Sequence, residues 1–391
     1  MRLKDMPLTG FCVLTIAAIL AAAPPEKGSR ARDLGIVIGR YAPGHHNAIT
    51  DVAGIRVGQI TIIEGRGRLV PGKGPVRTGV TVIVPHNGDI WQEKVAAGSF
   101  VLNGNGEATG LMWLQESGII ETPIALTNTL SVGMVQRALV EWMLQRHPDI
   151  GITDDTLTPI VFECDDGFLN DIRGPHVQEK HVFEALKKAS SGPVQEGSVG
   201  AGTGMTAYEF KAGIGTASRL VPVDQSTYTI GVLVLANHGE RHTFRVQGIP
   251  VGNMITDRKP KVFSDGSIVI VVATNAPMES RQLSRLAKRV ALGYAKTGGV
   301  SHHGSGDIVI AFSTANKIPH YPKKALTEWT ILSDFFLDDL FEAVADATEE
   351  AILNALMAGR TMEGRDGNTA YGLPIDELKQ LLIQKGIERG R

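Results

Sequence analysis

The chain has 391 residues, 43% of them hydrophobic and 20% charged, with a formal net charge of -2 at pH 7. That balance is globular, and with Lys and Arg scattered singly it offers no positive field for a phosphate backbone, which excludes nucleic acid as a partner. Simple division by length suggests two or three domains, although layered α/β folds of this size also form one unit.

At the amino terminus Arg2 and Lys4 precede an uncharged run, Phe11 to Ala23, and then Pro24-Pro25. The run is too short to span a bilayer comfortably and suits the core of a secretory signal, so 1–23 is expected to be a signal peptide and the protein to be secreted or periplasmic. Pro24 fits poorly just past a cut after Ala23, which leaves an earlier cut or a retained anchor open. Residues 24–43 form a polar extension. Of the two cysteines, Cys12 lies inside the signal, so the mature chain holds one thiol and no internal disulfide. Cys164 closes an apolar run in IVFECDDGFLNDI and reads as a buried structural thiol rather than a nucleophile.

Gly- and Pro-punctuated runs follow: GIRVGQITI, TGVTVIVP and TPIALTN read as strands joined by turns. Apolar residues at helical spacing predict helices over Val132–Gln145 and Val177–Ala189. The middle is glycine-rich, GSVGAGTG over Gly197–Gly204 and then Gly213-Ile214-Gly215. YTIGVLVLAN and HTFRVQGIPVG are expected to pair as strands. The polar, turn-forming DRKPKVFSDG then runs into SIVIVVAT, which begins at Ser267 and is too continuously β-branched for anything but a buried strand. A helix is predicted from Pro277 to about Lys296, a second buried strand at DIVIAFST after the turn GGVSHHGSG, and a long helix from about Asp334 to Leu356. Strands and helices interleaved without a strict βαβ period point to a layered α/β sandwich.

A serine opening a buried strand is held rigidly yet reachable from one edge. Gly266 before it admits strained backbone dihedrals, and strain there favours attack of the Ser267 hydroxyl on the preceding carbonyl. Hydrolysis of the resulting ester leaves a free α-amine of near-neutral pKa beside the hydroxyl it can help deprotonate. By itself the same DGS pattern also fits a hairpin turn.

The segments DVAGIRVGQ, LNGNGEATG, TPIALTNTLSVG, GSVGAGTGMTAYEFKAGIGTASR, LANHGERHTFRVQGIPVG, DGSIVIVVATNAP and GSGDIVIAFSTAN occur in order from about Gly44 to Leu373. Together they resemble the family of L-aminopeptidase/D-esterase (DmpA-like) and β-peptidyl aminopeptidases. The resemblance implies a four-layer αββα sandwich like that of amino-terminal-nucleophile hydrolases, with its own strand connectivity. It also implies one catalytic domain over 44–391, self-cleaved into 24–266 and 267–391, and a homo-oligomer of cleaved αβ heterodimers acting without a cofactor or metal on short peptides, amides or esters.

Carried over residue by residue, the nucleophile falls on Ser267, its accompanying serine and acid on Ser305 and Asp307 of GSGDIVIAF, and the side-chain donor to the oxyanion on Asn237. Glu163 matches the acid that receives the substrate's free amino group. Ser-x-acid spacing entering a strand puts both side chains on one face, so one can bond the nucleophile while the other orients it; capping of a tight turn is the plainer use. Asp165 departs from the aromatic common there and puts the preference between α- and β-amino substrates in doubt.

Three signals are set aside. GSVGAGTG lacks the Lys-Ser/Thr of a phosphate-cradling loop. His238 and His242 lie in a strand-like context with no third metal ligand. His302-His303 beside Ser305 reads first as a solvated turn, with tuning of the site as the alternative. Rival functions are an acyltransferase of the ornithine acetyltransferase type, which uses a threonine nucleophile, and a non-catalytic periplasmic relative that has lost processing.

Overall fold

The structure, a computed structural model, describes residues 29–260 and 266–386. The expected signal peptide lies outside the described residues. Strands β1 (Arg56–Glu64), β2 (Val76–Val84) and β3 (Glu93–Gly104) are followed by α1 (Leu111–Ser117), β4 (Ile119–Ile120), β5 (Ile124–Asn128), α2 (Val132–Leu144), β6 (Ile160–Cys164) and α3 (Glu179–Lys188). A small hairpin, β7 (Thr206–Ala207) and β8 (Phe210–Lys211), leads to β9 (Ile214–Val223), β10 (Ser226–Asn237) and α4 (Val251–Met254). Then come β11 (Ser267–Thr274), α5 (Ser280–Lys296), β12 (Gly306–Pro319), α6 (Asp338–Met357) and α7 (Ile375–Gln384).

Two sheets result, ordered β1-β2-β5-β6 and β4-β3-β12-β11-β10-β9. Strands β2 and β11 are buried at every position, which requires cover on both faces and explains the continuous apolar run Ile268–Ala273 of β11. Alternate residues of β11 serve the two covers. Val269 and Val271 meet Leu126 and Phe162 of the four-stranded sheet, while Ile268 and Ile270 face Leu286 and Val290 of α5 and Leu353 of α6. On the far side, Val135 and Leu139 of α2 and Val182 and Leu186 of α3 cover Val80, Val82 and Val161. The layers therefore read αββα, as expected. The carboxylate of Glu350 on α6 is fully buried, 2.7 Å from the equally buried Arg219 of β9, and it also accepts from Arg32 and from the Asn47 amide.

HTFRVQGIPVG is not a strand. It forms a short 3₁₀ turn at Arg241–Thr243, a tight turn closed by Val246 and Ile249, and then α4. Gln247 and Gly248 take φ of 48° and 79°, the left-handed region that interrupts a strand, and Pro250 removes a ladder donor. The buried Arg241 guanidinium holds the carbonyls of Tyr208, Glu209 and Ile255, replacing ladder bonds with side-chain ones. Strand β10 instead ladders antiparallel to β9, with Leu235 opposite Ile214, and on its other side to β11. The sequence reading also passed over β3, whose Ala-Gly-Ser interior has little strand character. A Cβ at Gly98 would come 2.4 Å from the Ser284 nitrogen, so small residues are needed where α5 presses on the sheet.

Candidate active site

Three neighbouring strands end at one edge of the six-stranded sheet. Antiparallel register puts Asn237, the last residue of β10, opposite Ser267, the first of β11, and parallel register puts Ile268 opposite Asp307 near the start of β12. Glu163 arrives from the other sheet. A Cβ on Gly106 would lie 3.1 Å from Glu163 Oε1 and 3.5 Å from Gly306 Cα, so that carboxylate sits against the β3–β12 tip. The structure thus brings together every candidate site residue read from the sequence, with Glu163, Asn237, Ser267, Ser305 and Asp307 buried and Gly266 half-buried.

The Ser267 hydroxyl accepts from the Gly306 N–H at 3.1 Å. That donor lies between Ser305 and Asp307, the two side chains expected to bond and orient the nucleophile. The Ser305 hydroxyl is spent on Asp307, donating to Oδ1 at 2.6 Å. Burial pushes the Asp307 carboxyl up from its ordinary range, opposed by the hydroxyls of Ser301 and Ser305 and by the Ile268 N–H. The structure gives glycine at 266 a reason other than the expected strained dihedrals, namely close approach: a Cβ would lie 1.8 Å from the Asn237 carbonyl oxygen. A small cavity of about 10 Å³, the room one water needs, is lined by Gly266, Tyr294, Ser301, His302 and Ser305.

The Asn237 amide is held at both ends. Its Oδ1 accepts from the Thr206 N–H and its Nδ2 donates to the Asp165 carbonyl, each at 2.9 Å. Glu163 Oε1 accepts from the Glu107 N–H at 2.8 Å and Oε2 from the Thr129 hydroxyl. Burial raises the Glu163 pKa against those two donors. Asp165, the departure noted in the sequence, is exposed and turns its side chain back onto the Gly167 N–H.

Two contributors escaped the sequence reading. Asn103 at the end of β3 donates to the carbonyls of His302 and His303, at 3.1 Å each, and to that of Ser305, while Asn105 donates to Gly304 at 2.8 Å. These amides clamp the turn that carries Ser305 and Gly306; alternating Asn and Gly at the end of LNGNG was the available signal. The second is Lys211, fully buried, with Asp166 nearby. Burial pulls the lysine down to about 7 against the attraction of Asp166, and pushes Asp166 up to about 7 against bonds from Thr78 and Asn170.

The glycine-rich segment spends its amides on threonine hydroxyls, Gly200 on Thr61 and Ala201 on Thr81, so they are not presented to a phosphate. His238 is wholly buried edge-on to Tyr208 and Tyr294, and burial depresses it to about 3, so it is neutral. His242 is exposed and sits 3.2 Å from Glu240, so the two histidines have separate environments. Cys164 is buried, with its thiol raised well above the ordinary value by burial, which removes it as a nucleophile. Among the described residues, Asp154, Asp155 and His320 lie close enough to share a cation, but Asp154 already accepts from Trp91 and meets His320 at 2.8 Å.

The model of peptidase family S58 matches residues 47–370. The chain belongs to peptidase family S58. It is 44% identical to a β-peptidyl aminopeptidase (BapA) of Sphingosinicella microcystinivorans over 95% of this chain and 96% of that one. A Pyrococcus horikoshii OT3 protein of known crystal structure is 50% identical, with a TM-score of 0.88, over 92% of this chain and 99% of that one. The L-aminopeptidase D-Ala-esterase/amidase of Ochrobactrum anthropi is 42% identical, with a TM-score of 0.86, over 91% and 99% of the two chains. That enzyme is described as a prototype of the serine aminopeptidases and a new variant of the Ntn hydrolase fold. This S58 peptidase shares that fold and is an aminopeptidase; neither the acyltransferase nor the non-catalytic reading finds support among these relatives.

Proposed function

We propose that this S58 aminopeptidase is made as a precursor that cuts itself between Gly266 and Ser267 and then uses Ser267 as an amino-terminal nucleophile. The observation that carries the reading is the meeting of Asn237, Ser267 and Asp307 at three adjacent strand ends, with a backbone donor on the Ser267 oxygen. In the cut, Ser267 Oγ attacks the Gly266 carbonyl carbon and an ester forms as the peptide C–N bond breaks. Water then hydrolyses the ester, leaving the Gly266 carboxylate and a free Ser267 amine and hydroxyl.

In turnover the α-amine takes the hydroxyl proton as Oγ attacks the substrate carbonyl, and later gives it to the leaving amine. The free Nδ2 hydrogen of Asn237 meets the developing oxyanion. Asp307, fixed by Ser305, faces the start of β11 and orients the new ammonium. Glu163 pairs with the substrate's own amino group, which selects unblocked peptides, amides and esters. Substrates with β-amino ends are the class indicated by the BapA relatives.

The cleaved pieces, 24–266 and 267–391, make one catalytic unit. Exposed Leu326, Phe335 and Phe336, with Phe335 94% exposed, support burial between copies and hence a homo-oligomer. The uncharged run Phe11–Ala23 behind Arg2 and Lys4 supports export. Intact-mass analysis should find two chains, the second starting at Ser267, and Ser267→Ala should leave one inactive chain; a single full-length species with full activity would overturn the mechanism.

A further inference from the structure

Lys211 is a cation with no exposure, and its ammonium donates to the carbonyls of Gly202, Met205 and Ala212 at 3.1, 2.7 and 2.7 Å. Three donors meet three acceptors, so the group is fully satisfied without water. Gly202 and Ala212 flank the segment 203–211 and Met205 lies within it, so the segment is wrapped around the charge. Inside that segment lies Thr206, whose N–H bonds Asn237 Oδ1 at 2.9 Å.

An asparagine amide has two orientations of nearly equal shape and opposite hydrogen bonding. With a backbone donor fixed at one end, the flipped form would set an NH2 against an N–H. The other end is fixed by the Asp165 carbonyl, and the next residue, Asp166, packs against the same segment: a Cβ on Gly204 would lie 2.7 Å from Asp166 Cβ. Asp166 is buried, accepts from the Asn170 amide at 2.9 Å, and leaves its second oxygen without a protein partner among the described residues.

We propose that Lys211, with Asp166 packed against the segment it holds, is a positioning residue that locks the Asn237 amide with one N–H directed at the oxyanion. The inference rests on the oxyanion role given to Asn237. It requires the effect of Lys211 to pass through that amide, which a merely structural role does not.

The test is a double-mutant cycle on kcat and KM with an amino-acid p-nitroanilide, expressed per mole of cleaved chain as counted by intact mass. Asn237→Ala should lower kcat by about 100- to 1,000-fold. Lys211→Met should lower kcat by at least about 10-fold with KM nearly unchanged, and Lys211→Met combined with Asn237→Ala should be no slower than Asn237→Ala. If Lys211→Met does not fold, Asp166→Asn, which keeps the volume, is taken through the same cycle with the same expected non-additivity. Losses that multiply, or a wild-type kcat in the Lys211 and Asp166 variants, overturn the proposal while leaving the role of Asn237 intact. An undiminished kcat in Asn237→Ala sinks the oxyanion reading, and this one with it.

Discussion

Adding one methyl group at the proposed cut site is the sharpest perturbation of the proposed processing mechanism. In Gly266→Ala the new Cβ would lie 1.8 Å from the Asn237 oxygen, 2.7 Å from its carbonyl carbon and 2.8 Å from His238 Cα. Ordinary contact begins at 3.4 Å, so the shortfall to the oxygen is 3.4 less 1.8, or 1.6 Å, against backbone atoms that cannot rotate away. Either the 266–267 backbone or the end of β10 must move by about that amount. A displacement of about 1 Å at reacting groups is enough to cost about 100-fold in rate, and overpacking of this kind destabilises by about 1–3 kcal/mol. Self-cleavage should therefore slow by at least about 100-fold, while the chain, with two sheets intact, still folds. The assay is a time course of intact mass after rapid purification, with circular dichroism and a melting curve as controls. Processing of folded Gly266→Ala at the wild-type rate would refute the argument that this close approach holds the bond in its reactive geometry.

Other consequences can be measured directly. Glu163→Gln should raise KM for free-amine substrates by about 10-fold or more, the loss expected for a charge-assisted bond of about 1.5–3 kcal/mol, with a smaller change in kcat. Because burial raises the Glu163 pKa, the wild-type carboxylate loses its charge at a higher pH than an exposed glutamate as the medium is acidified, so KM should climb early on the acid side. That limb should flatten in Glu163→Gln, and an identical limb in both proteins would remove Glu163 as its source. Glu350→Ala should cost about 3–5 kcal/mol, read from the urea midpoint, because it leaves the buried Arg219 guanidinium unpaired. Burial opposes ionisation of Glu350, yet Arg219 and Arg32 outweigh it and depress its pKa. Its contribution is thus complete above the ordinary glutamate range and fades as pH falls through the depressed value. A variant whose stability difference from wild type does not shrink in acid would refute that assignment.

How far these features could be read in advance depended on what fixes each one. Strand β11 was plain because its interior, Ile268–Ala273, is covered on both faces and wholly apolar, and α5 because its apolar and basic residues separate at helical spacing. Strand β3 was hidden by alanines and glycines that exist to admit a helix, and HTFRVQGIPVG misled because its β-branched residues serve a turn held by Arg241. The residues at 163, 237, 267 and 307 lie on four strands of two sheets, so no sequence spacing could have joined them; resemblance named them as a set. Asn103 and Lys211 stayed invisible for a simpler reason. Their partners are carbonyl oxygens, which every residue carries, so beyond the Asn-Gly alternation of LNGNG nothing in the order of side chains marks where such bonds will form.

The order of the larger sheet has a mechanical implication. Beyond residue 266 the chain supplies the two middle strands of that sheet, β11 laddered to β10 on one side and β12 to β3 on the other, with α5 and α6 lying across them. A scission at that point relieves the polypeptide of one covalent tie but leaves its two fragments interlocked like fingers, and pulling them apart means melting the centre of the molecule. A chain end created by the proposed cut would start out already anchored, held between β10 and β12.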